Sequence, residues 1–167
     1  AEAVGLDGIE KIVREESLIN ACKDGQDLDA RWNMMMASTE GAMAFSKGLG
    51  AVHSMSHAIG ANQELRLHHG TLNGVILPTV IRFNKDHVGN KLPRILKAMG
   101  KSESADLADE IEKFNEKINL PSGLKEMGVT EEMIPKLVEH SITDPSNVTT
   151  PKLPSPEEWE QLFLDAM

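Results

Sequence analysis

Aromatic side chains make up only 4% of this 167-residue chain, and cysteine occurs once, at Cys22. So few rings leave aliphatic and thioether side chains to fill the interior, and nine methionines suit helix packing better than a sheet. A lone cysteine excludes an internal disulfide and is compatible with a reducing compartment, and Cys22 reads as a small half-buried hydrophobe. No basic run is present: 17 Lys and Arg stand against 26 Asp and Glu, for a formal net charge of -9. That balance argues against a nucleic-acid partner. No apolar run approaches the length of a membrane span, and no signal peptide opens the chain, so the expectation is a cytoplasmic protein with no membrane partner. Period-2 alternation of useful length is missing as well. The fold class expected is therefore all-α, a helical bundle forming one domain over 1-167 with no dividing linker.

What is present supports that reading. Val4, Leu6, Ile9, Ile12 and Val13 recur at near-helical spacing between Ala3 and Glu16. Asp24-Gly25-Gln26-Asp27 is a turn signal, and Asp27 is placed to cap a helix running from Leu28 to about Phe45. Met34, Met35 and Met36 put thioethers on more than half of that helix's circumference, which predicts burial on several sides. Between Thr71 and Phe83 an apolar arc is interrupted by Pro78, which removes an interior donor and is expected to kink the helix. Asn90 to Met99 reads as a helix ending at Gly100. Ser104 is the expected cap of a helix from Ala105 to about Ile118, whose Asp, Glu and Lys face is solvated. Thr130 is the expected cap of the next helix, with His140 at its negative end. Ser155-Pro156-Glu157-Glu158 carries a capping box with proline at the first helical position.

The chemistry concentrates elsewhere. Four of the six histidines, His53, His57, His68 and His69, fall close together in the chain. If the run from Val52 to Ala61 is helical, His53 and His57 project from one face a turn apart, which is a metal-ligand spacing. Gly48, Gly50, Ala51, Ser54, Ser56, Ala58, Gly60 and Ala61 are small, and no charge interrupts Leu49 to Gln63, so this surface reads as buried against a pocket rather than solvated. A histidine just ahead of the following apolar run is placed to add a third nitrogen. Imidazole suits both zinc and ferrous iron, so ligand type leaves the metal open. Ser54 stands where a zinc protease of the His-Glu-x-x-His type has its general base, so that chemistry is absent.

The stretch Gly48-Leu-Gly-Ala-Val-His-Ser-Met-Ser-His-Ala-Ile-Gly-Ala61, the His69-Gly70 after it and Asn73-Gly-Val-Ile-Leu-Pro78 resemble the second signature of the iron-containing (group III) alcohol dehydrogenases. By that resemblance His53 and His69 stand where the family has metal-ligand histidines, and His57 stands at a position facing substrate and nicotinamide. The connection between Gly60 and His69 is longer than in the commonest members and reads His-His-Gly rather than Pro-His-Gly. Family members pair an N-terminal nucleotide-binding domain with a C-terminal helical domain of the dehydroquinate-synthase-like type. They draw two further metal ligands from an Asp-x-x-x-His motif. Neither that motif nor a Gly-rich phosphate-binding turn occurs in this chain, which begins with Ala1 rather than methionine, so the resemblance implies the C-terminal helical portion of a longer enzyme.

The implied activity is hydride transfer between a small alcohol or aldehyde and NAD or NADP, with a divalent metal, Fe2+ or Zn2+. His53 and His69 would hold the metal and His57 would orient the substrate or relay its proton. Lacking two ligands and the nucleotide domain, the isolated chain is expected to be inactive. An alternative is a stand-alone helical module in which His53, His57, His68 and His69 form a structural zinc site; a third is an interaction domain whose histidines are merely packed. The expected partners are the missing N-terminal domain and further copies of the chain in a homo-oligomer. Apolar surface left on the histidine helix should make the isolated chain self-associate. Sedimentation velocity at high concentration checks this, and a clean monomer counts against it.

Overall fold

A computed structural model describes residues 1–167, which form helices, turns and loops with no β-strand. The all-α expectation holds. The chain divides into two compact units, one made of Ala1–Lys47 and Gly89–Glu110, the other of Gly48–Val88 and Ile111–Met167.

The first unit holds α1 (Glu2–Ile9), which continues as a π-helical turn over Glu10–Arg14, then α2 (Ser17–Lys23), α3 (Leu28–Ala44) and α6 (Lys91–Ala98). Asp27 caps α3 as expected, its carboxylate accepting the Ala30 N–H at 2.9 Å. α1 lies against α3 and α6. Gly8 gives α3 room, because a Cβ there would come within 3.2 Å of the buried Glu40 carboxylate. Lys11 bonds Glu40 at 3.0 Å and also reaches Asp7.

The expected burial of α3 on several sides is corrected by the structure. Only Ala30, Ala37 and Glu40 are buried, whereas Met35 is 67% exposed and Leu28, Trp32, Met36 and Met43 share its face in the open. These five positions fall on one stripe at 100° per residue. α1 and α2 take the small-residue side of α3 instead, so the long thioethers are turned away from the contact. The exposed apolar surface expected on the histidine helix therefore lies on α3.

The second unit holds α4 (Ala51–Gly60), α5 (His69–Asn84), α8 (Ile134–Thr143) and α9 (Pro156–Asp165) around one core. α4 packs on α5 and α8, and α9 closes over α5 and α8 with Trp159 and Phe163 fully buried. Ser155 forms the expected capping box at the start of α9. α7 (Leu107–Lys117) crosses the boundary between the units. Its cap is Asp106, whose carboxylate accepts the Asp109 N–H at 3.1 Å, rather than the expected Ser104. Ser104 pairs with the Ser102 hydroxyl in a preceding turn, which closes through Ala105 N–H to the Ser102 carbonyl. Thr130 makes no side-chain cap either, and a 3-10 turn over Glu131–Met133 leads into α8.

Pro78 lies inside α5, which runs on past it to Asn84. Proline has no N–H to give the carbonyl four residues back, which here belongs to Gly74. The Asn115 amide of α7 supplies the missing donor to that carbonyl at 2.9 Å. Asn115→Ala should therefore leave a part-buried carbonyl unpaired and destabilise the chain by roughly 1–3 kcal/mol in urea unfolding. Pro78→Ala in the same chain should recover most of that loss, because residue 78 then carries its own donor. Additive effects of the two substitutions would contradict this account.

Candidate active site

The site is built where α4 begins. Gly48 has φ 103°, and a Cβ there would fall 2.2 Å from Thr149 Oγ1, so both the left-handed backbone and the close approach require glycine. Thr149 ends the 3-10 stretch Pro145–Thr149 that follows α8, and its hydroxyl donates to the Leu49 carbonyl. The same stretch is held to α4 by a buried polar lock. Ser54 Oγ donates to Asn147 Oδ1 at 2.6 Å, the Asn147 amide donates to the Ser141 and Ile142 carbonyls, and Ser141 Oγ donates to the Ser54 carbonyl at 3.3 Å. Ser54 and Ser141 are completely buried, so each of these hydroxyls needs the partner it has.

On this fixed helix His53 and His57 stand one turn apart, and His69 opens α5 beside them. The three rings meet. His53 lies 5.8 Å from His57 and 5.3 Å from His69 between centroids, and His57 stacks on His69 at 5.3 Å with planes inclined by 16°. His68 is not brought in. As the N-cap of α5, its Nδ1 accepts the Thr71 N–H at 3.3 Å and the ring turns toward its own helix.

Each ring has a distinct setting. His69 Nδ1 is 3.4 Å from Ser56 Oγ, and its Nε2 is 3.1 Å from the Asn73 amide nitrogen. Donation by that amide makes Nε2 the acceptor and puts the His69 ring proton on Nδ1. The other end of the same side chain, Asn73 Oδ1, is buried and unpartnered. Burial lowers the His53 pKa below its ordinary value of 6.5, and the neighbouring His69 and His57 push the same way against a weaker opposing pull from Asp144.

One participant had no signal of its own in the sequence. Asp144 Oδ2 accepts from His57 Nδ1 at 3.0 Å, while its Oδ1 accepts the Ser146 N–H at 2.8 Å. Burial alone would raise this carboxyl, but the Ser146 hydroxyl and N–H and the His57 ring outweigh it and hold its pKa below the usual value. In the sequence it belongs to a proline-bearing loop, 87 residues from His57.

No group of three or more His, Cys, Asp or Glu side chains is disposed to hold a metal ion. The donor chemistry nonetheless fits a divalent transition metal as far as it goes, with imidazoles gathered from two helices and an unmet amide oxygen beside one of them.

Comparison with known proteins gives the family. Residues 3–167 match the model of the Fe-containing alcohol dehydrogenase family, C-terminal. The chain belongs to that family. Among its relatives, 4-hydroxybutyrate dehydrogenase of Cupriavidus necator is 40% identical over 174 residues, covering 100% of this chain and 45% of the relative. NAD-dependent methanol dehydrogenase of Bacillus methanolicus is 32% identical, covering 91% of this chain and 42% of the relative. A crystal structure of 1,3-propanediol oxidoreductase superposes with a TM-score of 0.90 at 30% identity, over 99% of this chain and 44% of that one. The chain thus spans less than half the length of the relatives it matches. No helix is long and apolar enough to cross a membrane.

The His53 setting makes a pH prediction for the metal-free chain. A histidine whose folded pKa is depressed binds fewer protons when folded than when unfolded, so stability is full above the ordinary value of 6.5 and falls as pH drops toward the lower folded value. Urea midpoints should decline across that window, and His53→Gln should flatten the decline; an unchanged slope would contradict the assignment.

Proposed function

We propose that this chain is the helical, metal-holding half of an NAD(P)-linked alcohol dehydrogenase, with the nucleotide-binding domain supplied by other sequence. In this reading residues 1-167 act as one C-terminal domain, His53 and His69 are two of the ligands of a divalent ion, Fe2+ or Zn2+, and His57 faces the alcohol. The observation that carries the proposal is the meeting of His53, His57 and His69 from two helices, in a chain of this family. When bound, such an ion supplies Lewis acidity that favours the alkoxide form of the alcohol. Chain residues supply the rest. His53, kept neutral by its surroundings, presents a lone pair instead of a positive charge. Asn73 donates to Nε2 of His69 and so holds that nitrogen unprotonated until a ligand displaces the amide. His57, its side chain 42% exposed, is open to a small molecule and serves to orient the hydroxyl or relay its proton.

The substrate proposed is a small alcohol or the corresponding aldehyde, and the relative named for 4-hydroxybutyrate makes a terminal hydroxy acid the first compound to try. Homo-oligomer formation remains part of the proposal, supported by the apolar stripe on α3. The stand-alone structural zinc site is the weaker reading, because His68 is engaged in capping α5.

Calorimetric titration of the 167-residue chain with Zn2+, and with Fe2+ under anaerobic conditions, separates the readings. Binding should be weak, since two imidazoles leave the ion mostly hydrated. It should disappear in His53→Ala and in His69→Ala and persist in His57→Ala. Tight binding lost equally in all three would overturn the ligand assignment in favour of a structural zinc site.

A further inference from the structure

We propose that Asp144 is a positioning residue for His57, fixing it in the tautomer protonated at Nδ1 and leaving Nε2 as the ring's one acceptor. This deepens the dehydrogenase reading and rests on it for its functional meaning, but the tautomer itself is a property of the chain. The two oxygens of Asp144 are already divided. Oδ1 receives the Ser146 N–H at 2.8 Å, which caps the 3-10 stretch Pro145–Thr149, and Oδ2 meets His57 Nδ1 at 3.0 Å. An ionised carboxylate has only lone pairs to offer, so the proton in the His57 contact belongs to the ring.

A neutral imidazole carrying its proton on Nδ1 has its lone pair on Nε2. Nε2 then accepts a hydrogen bond from an alcohol hydroxyl, whereas the opposite tautomer would present a donor there and oppose the same ligand. Asp144 is not left to find His57 by chance. Asn147, three residues on, is locked to Ser54 of the histidine helix at 2.6 Å, and Ser141, three residues back, donates to the Ser54 carbonyl. The carboxylate is thus carried between two anchors on the helix that bears its partner, and only 14% of its side chain is exposed.

The test is the tautomer, read from long-range 1H–15N correlations of the imidazole rings in the metal-free 167-residue chain at about pH 8. The His57 signals are assigned by their loss in His57→Gln. The expected pattern is a pyrrole-type Nδ1 and a pyridine-type Nε2. Asp144→Asn should invert it. The new amide keeps its oxygen on the Ser146 N–H and turns a donor toward His57 Nδ1, so the ring proton moves to Nε2. A wild-type His57 protonated at Nε2, or a tautomer unmoved by Asp144→Asn, overturns the proposal. If that variant fails to fold, the wild-type spectrum alone decides.

In the enzyme completed with its nucleotide-binding domain, Asp144→Asn should lower kcat by ~10–100-fold while metal content stays unchanged. Loss of metal in that variant would instead assign Asp144 to the metal centre. Failure of the dehydrogenase reading leaves the wild-type spectrum intact, and failure of the Asp144 assignment leaves metal binding by His53 and His69 intact, so the two are distinguishable.

Discussion

The geometry of the site depends on one buried carboxamide. Asn147 spends its oxygen on Ser54 of α4 and its nitrogen on the last turn of α8, so one side chain ties together three segments, and Ser141 adds a second bond from α8 to the Ser54 carbonyl. Hydrogen bonds hidden from water have no substitute when broken, which makes such a tie specific in direction as well as favourable in energy. Because α4 cannot rotate or slide against α8 without losing it, His53 and His57 keep a fixed heading toward α5. Gly48 belongs to the same arrangement, since its missing side chain is what lets Thr149 close down on the start of α4.

From that constraint the electrostatics follow. Burial first, and after it the His69 and His57 rings at 5.3 and 5.8 Å, hold the His53 pKa below its ordinary value. An acidic group at the edge of the trio takes the opposite course. Asp144 keeps its charge because backbone and side-chain donors converge on it. The result is three ring side chains gathered beside one retained negative charge, an edge that favours hydrogen-bond donors.

How much of this was legible in the sequence follows from the range of each interaction. Caps at Asp27 and Ser155 and the pairing of His53 with His57 depend on residues three or four apart, and local spacing displays them directly. Composition misled at Met34–Met36, because thioethers on every side of a helix do not say which side finds a partner; α1 and α2 chose the small residues. At the start of α7 the cap is Asp106 rather than the Ser104 expected, because Ser104 is taken up by Ser102 in the preceding turn. Asp144 and Asn147 lay beyond a reading of one sequence, since their partners are 87 and 93 residues away and a polar residue in a proline-bearing loop carries no mark of a distant contact.

Pro78 shows what a long-range donor implies for how the chain assembles. While α5 is exposed, water serves the Gly74 carbonyl and the helix can form without its proline being felt. In the folded chain that carbonyl is part-buried and takes its donor from Asn115, 41 residues further along. Packing of α5 is thereby coupled to the presence of α7 through one side chain, so the cost of the proline in α5 is met by sequence well outside its own helix.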